Sequence, residues 1–378
     1  MLTKPVGSCF LFGPRGTGKS TWIREHFAHA TIYDLLSSRE AVRLRREPEM
    51  LFREVQSSSP DDWIVIDEIQ KVPELLDEVH RLIETRRLRF ILSGSSARKL
   101  RRGGSNLLAG RAVVERLFPL CSAEMAFQLD LERALVYGTL PLAVTGADPA
   151  AYLSAYADTY LQEEIRAEAL TRNVGGFSRF LEIAARQNGQ VTNLSSISRD
   201  AAVTRSTVQN YFDILSDTLI GSWLTPWKLK RATKQVAHPK FYLFDCGVAR
   251  ALSGRLAYAP SLEEQGPLLE TLLIGEVRAY LSYAGLRYPL HFWRSHDGVE
   301  VDLLCETNAG FVAVEVKAGN RWENRFNRGL QRVGDELGAH RVTALGVYRG
   351  ERPATWGNVQ VLPVLDFLHR LWDGAVLR

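Results

Sequence analysis

Short apolar runs alternate with helical periodicity in the first part of the chain. The runs are SCFLF at 8–12, WIVID at 63–67 and RFILS at 89–93. Between the last two, residues such as Leu75 and Val79 recur on one helical face. Buried strands alternating with amphipathic helices are typical of a parallel sheet that is covered on both faces. The pattern predicts an α/β unit that ends near Pro119.

The pattern changes twice after that unit. Residues 121–186 have a helical pattern, and residues 190–225 contain two short amphipathic helices joined by a tight turn. Strand-like runs then return at 240–244, 290–294, 299–305, 311–317 and 341–348, with a helix at 266–283 before the middle group. We therefore expect four parts. They are an α/β unit at 1–120, a helical lid or connector at 121–186, a helix-turn-helix unit at 187–237 and a small α/β domain at 238–378.

A phosphate-binding loop follows the first apolar run. It matches the pattern G-x-x-x-x-G-K-[ST] at every fixed position and lies between a strand and a helical segment, as the motif requires. The candidate nucleotide-binding residues are Gly13, Pro14, Arg15, Gly16, Thr17, Gly18, Lys19, Ser20 and Thr21. Backbone N–H groups of such a loop turn toward the phosphates, Lys19 places a charge beside them, and the Ser20 hydroxyl ligates Mg²⁺. The loop predicts ATP and Mg²⁺ as cofactors.

Two carboxylates end the second apolar run. Asp67 is the last residue of WIVID, and Glu68 follows it directly. Burying carboxylates at the end of such a strand costs free energy unless they bind a cation. We expect Asp67 to hold Mg²⁺ through water and Glu68 to orient or deprotonate the attacking water. A solvated turn is the alternative. A glutamate directly after the aspartate favours hydrolysis over nucleotide binding alone.

The third apolar run ends in small polar residues, and a cationic segment follows it. Ser95 is our candidate sensor of the γ-phosphate, with Ser93 and Ser96 as alternatives. Arg111 is our candidate for the arginine that stabilises transferred charge, either within the chain or from a neighbouring subunit. A structural or DNA-contacting role for Arg111 is the alternative. With the loop lysine and the strand-end glutamate, these residues complete the predicted catalytic set.

Several segments resemble one protein family. GPRGTGKS, IVIDEIQKVPELL, FILSGSSARKL, LLAGR and LFPL resemble prokaryotic AAA-type (AAA+) ATPases whose C-terminal region has long been labelled as of unknown function. KFYLFDCGVARALSG, FWRSHDGVEVDLL and VAVEVKA resemble the same family, so the likeness covers nearly the whole chain. The resemblance implies an AAA+ core, a winged-helix unit and a restriction-endonuclease-like C-terminal domain.

Residues 192–220 have the spacing of two helices packed around a turn. Thr204 is a suitable N-cap for the second helix, whose first turns expose hydrogen-bonding side chains suited to a DNA groove or to phosphates. A cationic stretch follows and is suited to backbone phosphates. The candidate DNA-binding residues are Arg205, Thr207, Gln209, Asn210, Lys228, Lys230 and Arg231. Helix-turn-helix units also serve as protein-packing modules, which is the alternative.

A nuclease-like set of residues lies on two consecutive predicted strands. Asp302 lies on the first, and Glu315 and Lys317 on the second, where a period of two places them on the same face. Such a set can bind Mg²⁺ and activate water for phosphodiester cleavage, and Glu270, with Glu276, on the preceding helix can complete it. The pattern resembles the PD-(D/E)xK superfamily. A same-face ion pair between Glu315 and Lys317 is one alternative, and a fold that binds DNA without cutting it is another.

Charge is locally concentrated although the net charge is only +4. Cationic patches occur at 43–46, 86–89, 98–102, 228–234 and 321–328. Each alone is typical of a solvated face, but several beside a helix-turn-helix favour a ligand with a phosphate backbone and salt-sensitive binding.

Composition narrows the class of protein further. Hydrophobic residues make up 46% and charged residues 24% of the chain, as in ordinary globular proteins. The four cysteines form no CxxC pair, which argues against a zinc site or a disulfide framework and favours a reducing compartment. No run approaches the roughly 18 apolar residues of a membrane helix, and the start has no signal-peptide pattern. We expect a cytoplasmic protein that does not contact a membrane.

These observations lead to a functional hypothesis with two alternatives. The first is an ATP-hydrolysing DNA motor or remodeller, acting on branched or forked DNA in repair or recombination, as a homo-oligomer that can form a ring. The second is a nucleotide-controlled regulatory switch that acts on a protein partner. The third is an ATP-dependent DNA nuclease. DNA-stimulated turnover distinguishes the motor from the switch, and Mg²⁺-dependent cutting that is lost in Lys317→Ala distinguishes the nuclease.

Overall fold

The computed structural model describes residues 1–95, 100, 108, 110–160, 173–227 and 238–377. They form two compact units. The N-terminal unit consists of Leu2–Pro119 and Ile214–Ile220, and the C-terminal unit consists of Leu120–Asp213 and Gly221–Arg378. Among the predicted site residues, Ser96, Lys228, Lys230 and Arg231 lie outside the described residues, as does the cationic patch at 98–102.

The N-terminal unit is built on a parallel sheet of five strands. These are β1 (Cys9–Phe12), β2 (Thr31–Asp34), β3 (Trp63–Asp67), β4 (Arg89–Gly94) and β5 (Val113–Arg116), in the order β2-β3-β4-β1-β5. The helices are α1 (Lys19–His26), α2 (Ser38–Arg46), α3 (Glu49–Glu54) and α4 (Leu75–Arg86). The fold is the mixed α/β arrangement with a parallel sheet that the apolar runs predicted.

Burial explains which strands the sequence revealed. Strands β1, β3 and β4 are central and almost wholly buried, so they appear as continuous apolar runs. Strands β2 and β5 lie at the two edges of the sheet and expose most of their side chains. Their residues carry no apolar run, and neither strand was predicted.

The core of the N-terminal unit lies between this sheet and its helices. Alternate residues of the central strands, such as Phe10, Ile66 and Leu92, pack against the apolar stripe of α4, which includes Leu75 and Val79. Strand β4 lies between β1 and β3. The carboxyl ends of all three strands therefore meet at one edge of the sheet, where ligands of open α/β sheets bind.

The C-terminal unit begins with helices and ends in a large mixed sheet. Its helices are α5 (Leu131–Tyr137), α6 (Pro141–Thr145), α7 (Pro149–Ala155), α8 (Val174–Arg186), α9 (Leu194–Asp200), α10 (Arg205–Asp217), α11 (Cys246–Leu252), α12 (Leu262–Tyr283), α13 (Arg328–Leu337) and α14 (Val364–Trp372). Its strands are β6 (Gly221–Pro226), β7 (Lys240–Leu243), β8 (Leu290–Arg294), β9 (Glu300–Thr307), β10 (Gly310–Lys317), β11 (Val342–Tyr348), β12 (Ala354–Trp356) and β13 (Val359–Pro363). The strand order is β12-β13-β11-β10-β9-β8-β6-β7.

Helix α10 packs against the edge of that sheet. Strands β6 and β7 pair antiparallel directly after α10 in chain order, and β6 also pairs parallel with β8. A cluster of aromatic rings, including Phe180, Phe212, Trp223 and Phe241, joins α8 and α10 to this strand pair. The predicted boundary at 237/238 therefore falls between two strands that pair with each other.

The Asp245 carboxylate ties two segments of the C-terminal unit together. It is 4% exposed, it accepts 3.0 Å from the Val248 N–H as the N-cap of α11, and it accepts 2.7 Å from the Thr139 N–H. Gly138, at φ 68°, is required beside it, since a Cβ there would lie 2.0 Å from an Asp245 oxygen.

Replacing Asp245 with alanine should destabilise the protein by about 3–5 kcal/mol, because two buried N–H groups lose their acceptor. The matched control is Asp148→Ala. Asp148 caps the exposed start of α7 through the Ala151 N–H at 2.9 Å, and its loss should cost about 1 kcal/mol. Urea unfolding followed by circular dichroism measures both losses. Equal losses in the two variants would contradict the role given to Asp245.

Candidate functional site

The loop between β1 and α1 requires glycine for two different reasons. Gly16 and Gly18 have φ values of 80° and 93°, in the left-handed region that glycine adopts without strain. Gly13 is needed because a Cβ there would lie 2.4 Å from the carbonyl oxygen of Leu117. Gly16 and Gly18 are therefore required by the backbone conformation of the loop, and Gly13 by its close contact with Leu117.

The Lys19 side chain lies inside this loop. It is 7% exposed, and its Nζ donates to the carbonyl oxygens of Gly13 at 2.7 Å and Pro14 at 3.0 Å. The Thr17 hydroxyl donates 2.8 Å to the same Pro14 carbonyl. These bonds hold the ammonium group within the turn of backbone that cradles phosphates in loops of this kind.

Two hydroxyls converge on the Asp67 carboxylate at the carboxyl edge of the sheet. Ser20 Oγ, in the first turn of α1, donates 3.2 Å to Asp67 Oδ2. Ser93 Oγ, on β4, donates to Asp67 Oδ1. A hydroxyl and a carboxylate side by side are hard oxygen ligands, which fit Mg²⁺ with water and phosphate completing its shell. Ser20 and Asp67 would hold the ion. Ser93 takes the position beside the aspartate, whereas the sequence analysis had preferred Ser95.

The Glu68 carboxylate is held by a residue that the sequence analysis missed. Gln70 Nε2 donates to Glu68 Oε2 and lies 3.3 Å from Ser95 Oγ. Ser95 therefore contacts the glutamate through Gln70. Glu68 itself has φ 61°, a left-handed conformation that is uncommon for a residue with a side chain and costs about 1–3 kcal/mol. In the sequence, Gln70 could have been noticed because it lies only two residues after Glu68.

Burial raises the pKa of Glu68 above its ordinary value. The nearby Asp67 charge raises it too, and Lys19 and the hydrogen bond from Gln70 lower it without cancelling the rise. A carboxylate with a raised pKa, close to the phosphate loop, is suited to act as a general base.

Arg111 lies at the other edge of the sheet. It precedes β5, whose first residue Val113 pairs with Cys9 at the start of β1, and the loop begins only after the end of β1. Its Nε donates to Glu84 in the last turn of α4. Within this chain Arg111 therefore lies away from the phosphate loop. Its role in stabilising transferred charge stays a prediction, and this position favours action from a neighbouring subunit.

The exposed start of α10 carries the predicted DNA-contacting residues. Thr204 Oγ1 accepts 3.1 Å from the Thr207 N–H, which makes Thr204 an N-cap, and the two hydroxyls are 2.8 Å apart. Gln209 donates 3.1 Å to Asp213 one turn later. Arg205 and Asn210 are exposed. The Thr207 and Gln209 side chains are thus used within the helix itself.

Several of the predicted cationic patches are paired with acidic residues. Arg43 forms ion pairs with Glu40 and Glu54, and Arg328 pairs with Asp297. Exposed pairs of this kind contribute little stability. They do reduce the positive potential that the sequence alone indicated for these patches.

Four predicted nuclease-like residues converge in the C-terminal unit. Strands β9 and β10 pair antiparallel in a register that sets Asp302 opposite Glu315. Asp302 Oδ2 accepts 2.8 Å from the Val316 N–H, and Lys317 Nζ donates to Glu315 Oε1. Glu270 on α12 interacts with Asp302 electrostatically. Asp302, Glu315, Lys317 and Glu270 form what we call the carboxylate cluster, together with Glu300 and Lys240.

Glu276 has a different role from the one considered in the sequence analysis. Its carboxylate accepts from the Ser122 N–H at 2.6 Å, the Ser122 hydroxyl at 3.0 Å and Trp372 Nε1 at 2.7 Å. These bonds join α12 to the segment before α5 and to α14. Glu276 is therefore a structural residue outside the carboxylate cluster.

Lys240 and Glu300 are the cluster members that sequence reasoning missed. Lys240 Nζ, on β7, lies 2.5 Å from Glu300 Oε1, 3.5 Å from Glu270 Oε2 and 3.9 Å from Asp302 Oδ1. Tyr242 donates 2.5 Å to Glu270 Oε2. The available signal was the period of two, which places Lys240 and Tyr242 on one face of β7 and Glu300 and Asp302 on one face of β9.

Burial and like charges shift the pKa values in the cluster. Burial and the Asp302 charge raise the pKa of Glu270 to about 7 and raise the pKa of Glu315 well above its ordinary value. Burial lowers the pKa of Lys240, but Glu270, Asp302 and Glu300 more than offset it, so the net pKa is raised. Both effects follow from placing several charges in a medium of low dielectric constant.

Comparison with known protein families divides the chain into three spans. Residues 7–126 match an AAA domain family, residues 128–258 match a domain of unknown function (DUF8612), and residues 265–367 match another (DUF4143). The N-terminal unit accordingly matches an AAA domain, which supports nucleotide hydrolysis in general, and AAA domains typically bind ATP with Mg²⁺. None of the helices in the described part of the chain is long and apolar enough to cross a membrane.

Similar proteins are themselves described as uncharacterized. One from Mycobacterium tuberculosis and one from Mycobacterium bovis are each 28% identical over 317 residues, which cover 81% of this chain and 69% of theirs. One from Haemophilus influenzae is 24% identical and covers 57% of this chain. A crystal structure of a Vibrio cholerae protein aligns over 98% of the chain at 12% identity, but a TM-score of 0.24 does not establish a shared fold.

The Gln70–Glu68 contact predicts a shift in the pH dependence of ATP turnover. Glu68 must be ionised to accept a proton, so turnover should fall as pH drops through its raised pKa. Gln70 stabilises the ionised form, so Gln70→Leu should move this acid limb to higher pH by about one unit. The measurement is kcat against pH at saturating ATP.

Two variants serve as controls for this shift. Gln56→Leu makes the same change at an exposed position and should leave the acid limb in place. Glu68→Gln should bind ATP without turning it over. An acid limb at the same pH in the Gln70 and Gln56 variants would remove Gln70 from the mechanism.

Proposed function

We propose that this chain hydrolyses ATP with Mg²⁺ and uses the cycle to move or remodel DNA held at its helix-turn-helix. The observation that carries the hydrolytic part is the arrangement of Ser20, Asp67 and Glu68. The first two form an oxygen pair suited to Mg²⁺, with a hydrogen bond of 3.2 Å between them. The third is a partly buried carboxylate beside them, with a raised pKa, which suits activation of water.

The contacts around the start of α10 support DNA as the partner. Helix α10 begins at a capped, exposed turn, where Arg205 and Asn210 face solvent. A helix, two further helices and an antiparallel strand pair follow one another as α8, α9, α10, β6 and β7, which is the element order of a winged helix. The sequence between β6 and β7 carries four cations, Lys228, Lys230, Arg231 and Lys234, suited to backbone phosphates. Branched or forked DNA is the substrate class to test first.

DNA should stimulate ATP turnover, and Arg205→Ala should weaken that stimulation. A lost phosphate contact would lower the salt slope of DNA binding by about 1, and a lost base contact would cost about 1–3 kcal/mol. Turnover is measured without DNA and with linear duplex, single strand and a four-way junction, and binding is measured across salt concentrations. Arg53→Ala is the matched control, since Arg53 lies outside the predicted cationic patches and its side chain is 62% exposed.

The same assay distinguishes the other candidate functions. Slow turnover that ignores every DNA, in protein that still binds ATP, would overturn the motor and favour a nucleotide-controlled switch acting on a protein partner. Cleaved DNA that needs Mg²⁺ and disappears in Lys317→Ala would favour an ATP-dependent nuclease.

Arg111 should act across the interface of a homo-oligomer. Lys19→Ala keeps Arg111 but loses its own phosphate contact, whereas Arg111→Ala keeps an intact loop. Each variant alone should be inactive, and mixing them should restore part of the wild-type turnover, because a Lys19→Ala subunit supplies its arginine to an Arg111→Ala neighbour. Glu84→Gln, which removes the ion-pair partner of Arg111 but keeps the arginine, should stay active. An inactive mixture of variants that still co-assemble would exclude this role.

A further inference from the structure

The carboxylate cluster has the residue types of a divalent-cation site. A cation could bind there only through carboxylate oxygens that do not already accept from a donor of the protein. Asp302 Oδ2 accepts from the Val316 N–H at 2.8 Å, and Asp302 Oδ1 lies 3.9 Å from the Lys240 ammonium. Glu315 Oε1 accepts from Lys317. Glu315 Oε2 is the buried cluster oxygen that has no hydrogen-bond partner in the described chain. Three of the oxygens that a cation would need, Glu270 Oε2, Asp302 Oδ2 and Glu315 Oε1, therefore already accept a hydrogen bond from a donor of the protein.

The small volume beside these carboxylates also argues against a bound divalent cation. Glu270 and Asp302 line a cavity of about 10 Å³, whose other walls are apolar side chains such as Val314 and Val316. That volume is at the lower limit for a single water molecule. Mg²⁺ binds in octahedral geometry and usually keeps several waters. In the described chain, no three acidic, histidine or cysteine side chains are arranged to hold a metal ion. The residues do not fit a divalent ion as they stand.

Lys240 supplies the positive charge in its place. The side chain is 6% exposed, and its Nζ lies within 4 Å of carboxylate oxygens of three residues, Glu270, Glu300 and Asp302. A buried ammonium group is tolerated only when it is paired and hydrogen-bonded. The strand that carries Lys240 is fixed from both sides, since Lys240 pairs with Leu224 on β6 and forms a bridge with Val191.

We propose that Lys240 is the resident cation of the carboxylate cluster, so that the C-terminal unit binds no divalent metal there and does not cut DNA. Removing the ammonium group opens a site for one divalent cation among Glu270, Asp302 and Glu315. This inference does not depend on the DNA motor proposed above, because metal binding is measured without ATP or DNA.

The test is Mn²⁺ binding to the full chain without nucleotide, measured by calorimetry and by the loss of the free-Mn²⁺ electron paramagnetic resonance signal. Wild type and Asp302→Asn should bind Mn²⁺ identically. Lys240→Ala, which removes the ammonium group and frees the space that it fills, should gain one Mn²⁺, and Lys240→Ala combined with Asp302→Asn should lose it again. Lys317→Ala removes a neighbouring lysine and is the matched control, which should gain none.

Two further comparisons keep the experiment interpretable if a variant does not fold. If Lys240→Ala does not fold, Lys240→Ala with Glu300→Gln removes the 2.5 Å ion pair as a unit and leaves the three proposed ligands in place. The wild-type comparison needs no Lys240 variant at all. Mn²⁺ bound by wild type but lost in Asp302→Asn would overturn the proposal. A folded variant without Lys240 that gains no Mn²⁺ would also overturn it.

Discussion

The hydrogen bond between Ser20 and Asp67 joins residues 47 positions apart in the chain, and the candidate ATP site depends on it. The two residues lie beyond strands β1 and β3, which are not neighbours, because β4 lies between them. That strand order brings Ser93 to the Asp67 carboxylate and Ser95 to Gln70, the residue that holds Glu68. The parallel direction of the strands is what makes this possible, since it gathers all three carboxyl ends at one edge.

Two buried lysines show how the partner of an ammonium group decides its use. Lys19 donates to two backbone carbonyls of the loop, which are neutral acceptors, and it also interacts electrostatically with Glu68. Lys240 lies within reach of three carboxylates, which match its charge within the protein. Removing one partner of a buried ion pair costs about 3–5 kcal/mol, so the second arrangement resists exchange of its cation. The contacts of Lys19 suit it to binding phosphate, and those of Lys240 suit it to stabilising the fold.

The parts of the fold that the sequence revealed are those whose burial is continuous or periodic. Strands β3 and β8 were predicted with their observed bounds, and the central strands β1 and β4 to within a residue. The edge strands β2 and β5 were missed because exposed strands carry no apolar pattern. The local phosphate-loop motif fixed Lys19 and Ser20. Lys240 was missed because its role arises from contacts with residues on other elements, which spacing along the chain does not encode. Gln70 was missed although it lies only two residues from Glu68, because its spacing does not show that its side chain turns toward that glutamate.

The convergence of Asp302, Glu315 and Lys317 is a case in which spacing predicts position but not chemistry. A period of two on paired strands is enough to gather these side chains, whichever cation they face. Which cation it is depends on β7, a strand that comes after the helix-turn-helix in the chain and is held beside the cluster by β6 and by a bridge with Val191. Lys240 and Tyr242 thereby bond β7 to α12 and β9. The carboxylates that resemble a nuclease site consequently anchor the strand pair beside α10 to α12 and to the neighbouring strands of the C-terminal sheet.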